Sequence, residues 1–77
     1  MGIDGNLEEM EFKLSDEYIT LQSLLKAAGL VETGGAAKAV IVDGEVKVDG
    51  AIEVRRGKKI RAGQRVSYQG QEIWVTS

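Results

Sequence analysis

Leu21, Leu24, Leu25 and Ala28 recur at i, i+3, i+4 and i+7, the spacing of one apolar helix face. Thr20 stands in front as an N-cap, and Gly29 follows as a residue free to adopt the positive φ that closes a helix. This stripe restricts the chain more than any other feature, because a short amphipathic helix must bury its face against something else. A second helix is predicted directly after it. Thr33 caps it, "GGAAKAVIV" places Ala37, Val40 and Ile41 on one face, and Asp43-Gly44 stops it. Gly34 and Gly35 near its start each cost roughly 1 kcal/mol against alanine if both are helical.

The segments around the helices alternate. Met10, Phe12 and Leu14 interleave with Glu9, Glu11 and Lys13, the period of a half-buried strand. After Gly44, Val46 and Val48 mirror Ile52 and Val54 about Asp49-Gly50, a strong hairpin signal. "RVSYQGQEIWV" reads as a closing hairpin, with Val66 and Tyr68 facing Ile73 and Val75 across Gln69-Gly70-Gln71. The order is strand, two helices, then four or five short strands: an α+β fold, with two packed helices against a small, mainly antiparallel sheet. Residues 1–77 are read as one domain, with an acidic lead and first strand over 1–19 and a core module over 20–77. The expected core comprises Leu21, Leu24, Leu25, Ala28, Val40, Ile41, Val46, Val48, Ile60, Val66, Ile73 and Trp74. Phe12 and Trp74 are placed in it by strand position, while Tyr18 is expected at the surface.

Charge is unevenly placed. Residues 1–25 carry six acids and one base, whereas 26–77 carry nine bases and six acids. Six cations, Arg55, Arg56, Lys58, Lys59, Arg61 and Arg65, fall within eleven residues with no acid among them. Unit charges about 5 Å apart at an effective dielectric near 40 repel by roughly 1.5 kcal/mol before screening. Clustering on a structured loop therefore points to a polyanionic partner. The predicted contact face combines Lys26, Lys38, Arg55, Arg56, Lys58, Lys59 and Arg61, with Lys26 and Lys38 off the apolar helix stripes. So few exposed aromatics argue for phosphate contacts on a folded nucleic acid over a single-strand stacking platform.

Other classes receive little support. The chain has neither cysteine nor histidine, which removes disulfides and the common zinc sites. The serines and threonines have cap or strand explanations, so no enzyme activity and no cofactor are expected. Asp43, Glu45, Asp49 and Glu53 lack calcium-loop spacing and read as turn acids. "VETGG" lacks the endings of nucleotide-binding loops and reads as helix entry. The start shows no secretory pattern or myristoylation signal, and the longest apolar run, Ala39 to Val42, cannot span a membrane. A monomeric cytoplasmic protein without membrane association is expected.

From Thr20 onward, "TLQSLLKAAGLVETGGAAKAVIVDGEVKVDG" resembles the RNA-binding module first seen in small-subunit ribosomal protein S-four, also called the alpha-L motif. Leu21, Leu25, Gly29, Leu30, Thr33, Ala37, Lys38, Ile41, Gly44, Val46, Val48 and Gly50 fill that family's pattern, and Ile60, Gly63 and Val66 continue it. In length and acidic lead the chain is most similar to small stand-alone bacterial members of the YbcJ type. The resemblance implies RNA as partner, with the helices and following hairpin as contact surface, Lys38 as a basic contact, and a ribosomal or RNA-processing setting. Three positions depart from the pattern: Gly34 replaces an Arg, Asp49 an Asn, and Gln64 an Asp. Loss of the Arg removes one bidentate phosphate fork, which the Arg55–Arg65 stretch can offset. The alternatives are an adaptor for an acidic protein partner on the same fold, or a domain presenting substrate to an RNA-modifying enzyme.

Overall fold

The computed structural model describes residues 8–77. The lipidation reading at Asn6 lies outside that range, as do the first seven of the twelve residues read as lacking a secretory signal. The elements in order are β1 (Glu8–Lys13), β2 (Ile19–Thr20), α1 (Leu21–Ala27), α2 (Gly34–Val42), β3 (Val46–Val48), β4 (Ala51–Ile52), β5 (Lys59–Ile60), β6 (Arg65–Tyr68) and β7 (Gln71–Thr76). They form an α+β fold whose main sheet has five strands in the order β1-β7-β6-β3-β4. Its pairs are antiparallel except β1 with β7, which run parallel. β2 and β5 form a separate antiparallel pair.

Both helices begin as their sequences require. Thr20 Oγ1 accepts from the Ser23 N–H at 3.3 Å, and Thr33 Oγ1 accepts from the Ala36 N–H at 3.0 Å. Gly29 and Gly44 follow the two C-caps with φ of 78° and 80°, a conformation that costs glycine nothing. Seven residues of α1 would not hold a helix unaided, so burial of Leu21, Leu24 and Leu25 must supply its stability. Those leucines join Ala37 and Ile41 of α2 and the inward residues of the strands in one core.

Several expected core positions shift, in the strands for reasons of strand period. Trp74 lies between the buried Ile73 and Val75, so alternation turns it outward, and it is 49% exposed. Val75, Tyr68, Leu14 and Ala37 complete the core, while Phe12, Ala28 and Val40 are only partly buried against it. Ile52 and Val54 are exposed, since Ile52 pairs with the outward Lys47 on the edge strand β4 and Val54 lies beyond that strand's end. The last hairpin turns on Gln69-Gly70, both at positive φ, pairing Tyr68 with Gln71 and Val66 with Ile73. Val75 therefore lies beyond the paired length of β6 and donates its N–H to the Gln64 carbonyl.

Candidate nucleic-acid interface

The basic loop is built from its backbone outward. The Leu21 N–H donates to the Lys58 carbonyl at 2.8 Å, and the Gln22 N–H donates to the Arg56 carbonyl at 3.0 Å. Those two donors belong to the first turn of α1, where no intrahelical acceptor exists. The loop thus closes the helix start, and the helix start in turn fixes the loop. A turn from Arg55 to Lys58 is closed by the Lys58 N–H on the Arg55 carbonyl at 3.2 Å. Beyond it Ile60 is fully buried, which leaves its neighbours Lys59 and Arg61 exposed.

The predicted cations are not equivalent. Arg55 is gripped by Glu53, which accepts from Nε at 3.0 Å, from the second guanidinium nitrogen at 3.3 Å and from the Arg55 N–H at 3.0 Å. The side-chain hydrogen bonds from Arg55 hold the Glu53 carboxyl at a pKa of about 2, well below its ordinary value. Arg55 is therefore already engaged by an acid, although its side chain is largely exposed. Arg65, from the same basic stretch, projects instead from the outer face of the main sheet. There it meets Glu72 at 2.9 Å and lies 5.2 Å from the Trp74 ring. Among the described residues, Arg56, Lys58, Lys59 and Arg61 make no ion pair. Arg56, Lys59 and Arg61 are exposed, and Lys58 is half-buried.

Lys26 and Lys38 are also exposed and without an ion pair among the described residues. The helix starts come together nearby. A Cβ built on Gly34 would lie 2.8 Å from Nε2 of Gln22, so the missing side chain is what lets this amide sit against α2. Lys26 stands four residues after Gln22, and Lys38 four after Gly34, one turn along each helix from that contact. Lys38 also borders a shallow depression with Gly35, Ala39, Val42 and Asp43.

Sequence reasoning missed three features here. Glu53 and Arg55 stand two positions apart with only Val54 between them, and that spacing was the available signal. Asp49 and Gln64, two of the departures from the family pattern, touch each other: Gln64 Nε2 donates to Asp49 Oδ2 at 3.2 Å. Asp49 also accepts from the Arg65 N–H at 2.9 Å, so its charge is spent inside the hairpin junction. Tyr18, expected only to be exposed, has Lys59 Nζ 4.9 Å and Arg61 Cζ 5.6 Å from its ring centre. Among the described residues no acidic cluster is arranged to hold a metal ion, and no helix is long and apolar enough to cross a membrane.

Comparison with known proteins agrees with this architecture. The chain is similar to the solution structure of YbcJ from E. coli, with a TM-score of 0.66 and 40% identity, over 94% of this chain and 90% of that one. The YbcJ structure is described as revealing an αL motif involved in RNA binding. No curated protein matches the sequence. Residues 12–76 match the S4 domain family. Two capped helices, the hairpin beyond them and a match over most of the chain make this protein a member of the S4 domain family.

Proposed function

We propose that this protein binds RNA and grips the phosphates of a folded RNA through Arg56, Lys58, Lys59 and Arg61, flanked by Lys26 and Lys38. The observation carrying this reading is that Arg56, Lys58, Lys59 and Arg61, which lack acid partners among the described residues, sit on a loop whose backbone is tied to α1. A fixed loop holds its charges in place before the ligand arrives, so little ordering entropy opposes binding. Arg55 is a reserve cation, available to phosphate only in competition with Glu53. Backbone contacts of this kind suit structured RNA, such as ribosomal or processing substrates, and carry little sequence information. The protein presents or holds RNA and performs no reaction of its own.

Titration of isotope-labelled protein with a folded RNA hairpin at low salt, followed by NMR, tests this. Amide signals of Arg56 to Arg61 and of the first turn of α1 should shift, while the Trp74 indole signal should stay in place. Absence of RNA binding at low salt, with binding of an acidic polypeptide instead, would establish the adaptor reading.

A further inference from the structure

The pairing of Ile19 with Ile60 and of Thr20 with Lys59 carries a consequence one residue further out: Tyr18 lies across from Arg61. Ile60 is buried and Ile19 half-buried, so alternation turns Tyr18, Lys59 and Arg61 to the other side of this short pair. Tyr18 is 40% exposed there, with both cationic heads at its ring. We propose that Tyr18, Lys59 and Arg61 form a subsite for one unpaired nucleotide at the rim of the RNA face, the base stacking on Tyr18 and its phosphate held by the two cations.

This rests on the RNA reading above and adds to it a preference for junctions between duplex and single strand. An aromatic ring cannot stack on a base held inside a duplex, so away from helix ends only an unpaired nucleotide can use it. The cations remain available for phosphate, because among the described residues neither pairs with an acid, including the neighbouring Asp16 and Glu17. Trp74 does not offer the same chemistry. The one cation at its ring, Arg65, is already bound to Glu72.

The test compares a blunt RNA duplex with the same duplex carrying a single-stranded overhang that contains 2-aminopurine. Wild type should bind the overhang RNA more tightly than the blunt one and quench the fluorescent base. Tyr18→Ala and Tyr18→Leu should lower affinity for the overhang RNA by about 5- to 150-fold, the range for losing one base–aromatic stack. Blunt-duplex affinity should be unchanged, and Tyr18→Phe should retain both the preference and the quenching. Equal binding of the two RNAs by wild type, or an overhang preference that survives Tyr18→Ala, overturns the subsite but leaves phosphate binding intact. So does an equal loss for both RNAs in Tyr18→Ala, since the ring would then serve only to position the cations. Failure of wild type to bind either RNA overturns both readings.

Discussion

On the outer face of the five-stranded sheet, Trp74 and Arg65 lie side by side. Strand pairing sets Glu11 beside Trp74, and Glu9 beside Glu72. On the β2–β5 side, Tyr18 lies beside Lys59 and Arg61, and the adjoining loop adds Arg56 and Lys58. Both surfaces pair an exposed ring with cations. They differ in acid: among the described residues Glu72 occupies Arg65, whereas the loop carries one acid clamp, Glu53 on Arg55, and its other cations are unpaired. A ring beside an arginine is thus insufficient to identify a binding face. On the reading proposed above, what distinguishes one is positive charge left without an acid partner among the described residues.

The two surfaces share one core, and the largest expected effect comes from damaging it. Leu25 is fully buried, so Leu25→Ala should cost roughly 2–5 kcal/mol in urea denaturation. A loss below about 1 kcal/mol would mean that α1 contributes little to the packing both faces depend on. Glu53→Gln sharpens the comparison from the other side by freeing Arg55. RNA affinity should rise about 2- to 5-fold, with a salt dependence steeper by about 0.9 in log–log slope. A drop in affinity would instead make Glu53 a positioner that aims Arg55 at RNA.

That gain should be the same at pH 5 and pH 8. Glu53 stays ionised down to about 2, and the chain has no histidine or cysteine to titrate between those values. Because the folded carboxyl's pKa is lowered from 4.5, whatever stability the pair contributes is fully present above 4.5 and is lost as pH falls through about 2. The smallest effect belongs to the sheet face. Trp74→Ala should change stability by less than about 1 kcal/mol and RNA affinity by less than about 2-fold, because an outward ring fills no core space. A larger loss of affinity would move the RNA site to the sheet.

The helices were legible because their information is local: a stripe of leucines, a threonine before each start, a glycine past each end. Parallel pairing of β1 with β7 was not, since nothing in "EEMEFK" states which of several strands it will join across more than fifty residues. The β2–β5 pair is two residues long and carries no period to read. Trp74 shows where hydrophobicity misleads, because its neighbours Ile73 and Val75 take both inward places. The basic cluster was visible as composition, but its division into clamped and free cations required Glu53 and Glu72 to be located in space. The position of Tyr18 beside Lys59 and Arg61 depended on a strand pair that the sequence does not announce.

Salt dependence of RNA affinity tests the central claim most directly, compared between wild type, an Arg56→Glu/Lys58→Glu double reversal, and a Lys13→Glu/Lys47→Glu double reversal on the sheet face. With about four phosphate contacts, the wild-type slope of log affinity against log salt should lie near −3 to −4. The loop reversal should bring it to about −2 with weaker binding to every folded RNA, and the sheet reversal should leave the slope unchanged. A slope that persists in the loop reversal but flattens in the sheet reversal would contradict the account.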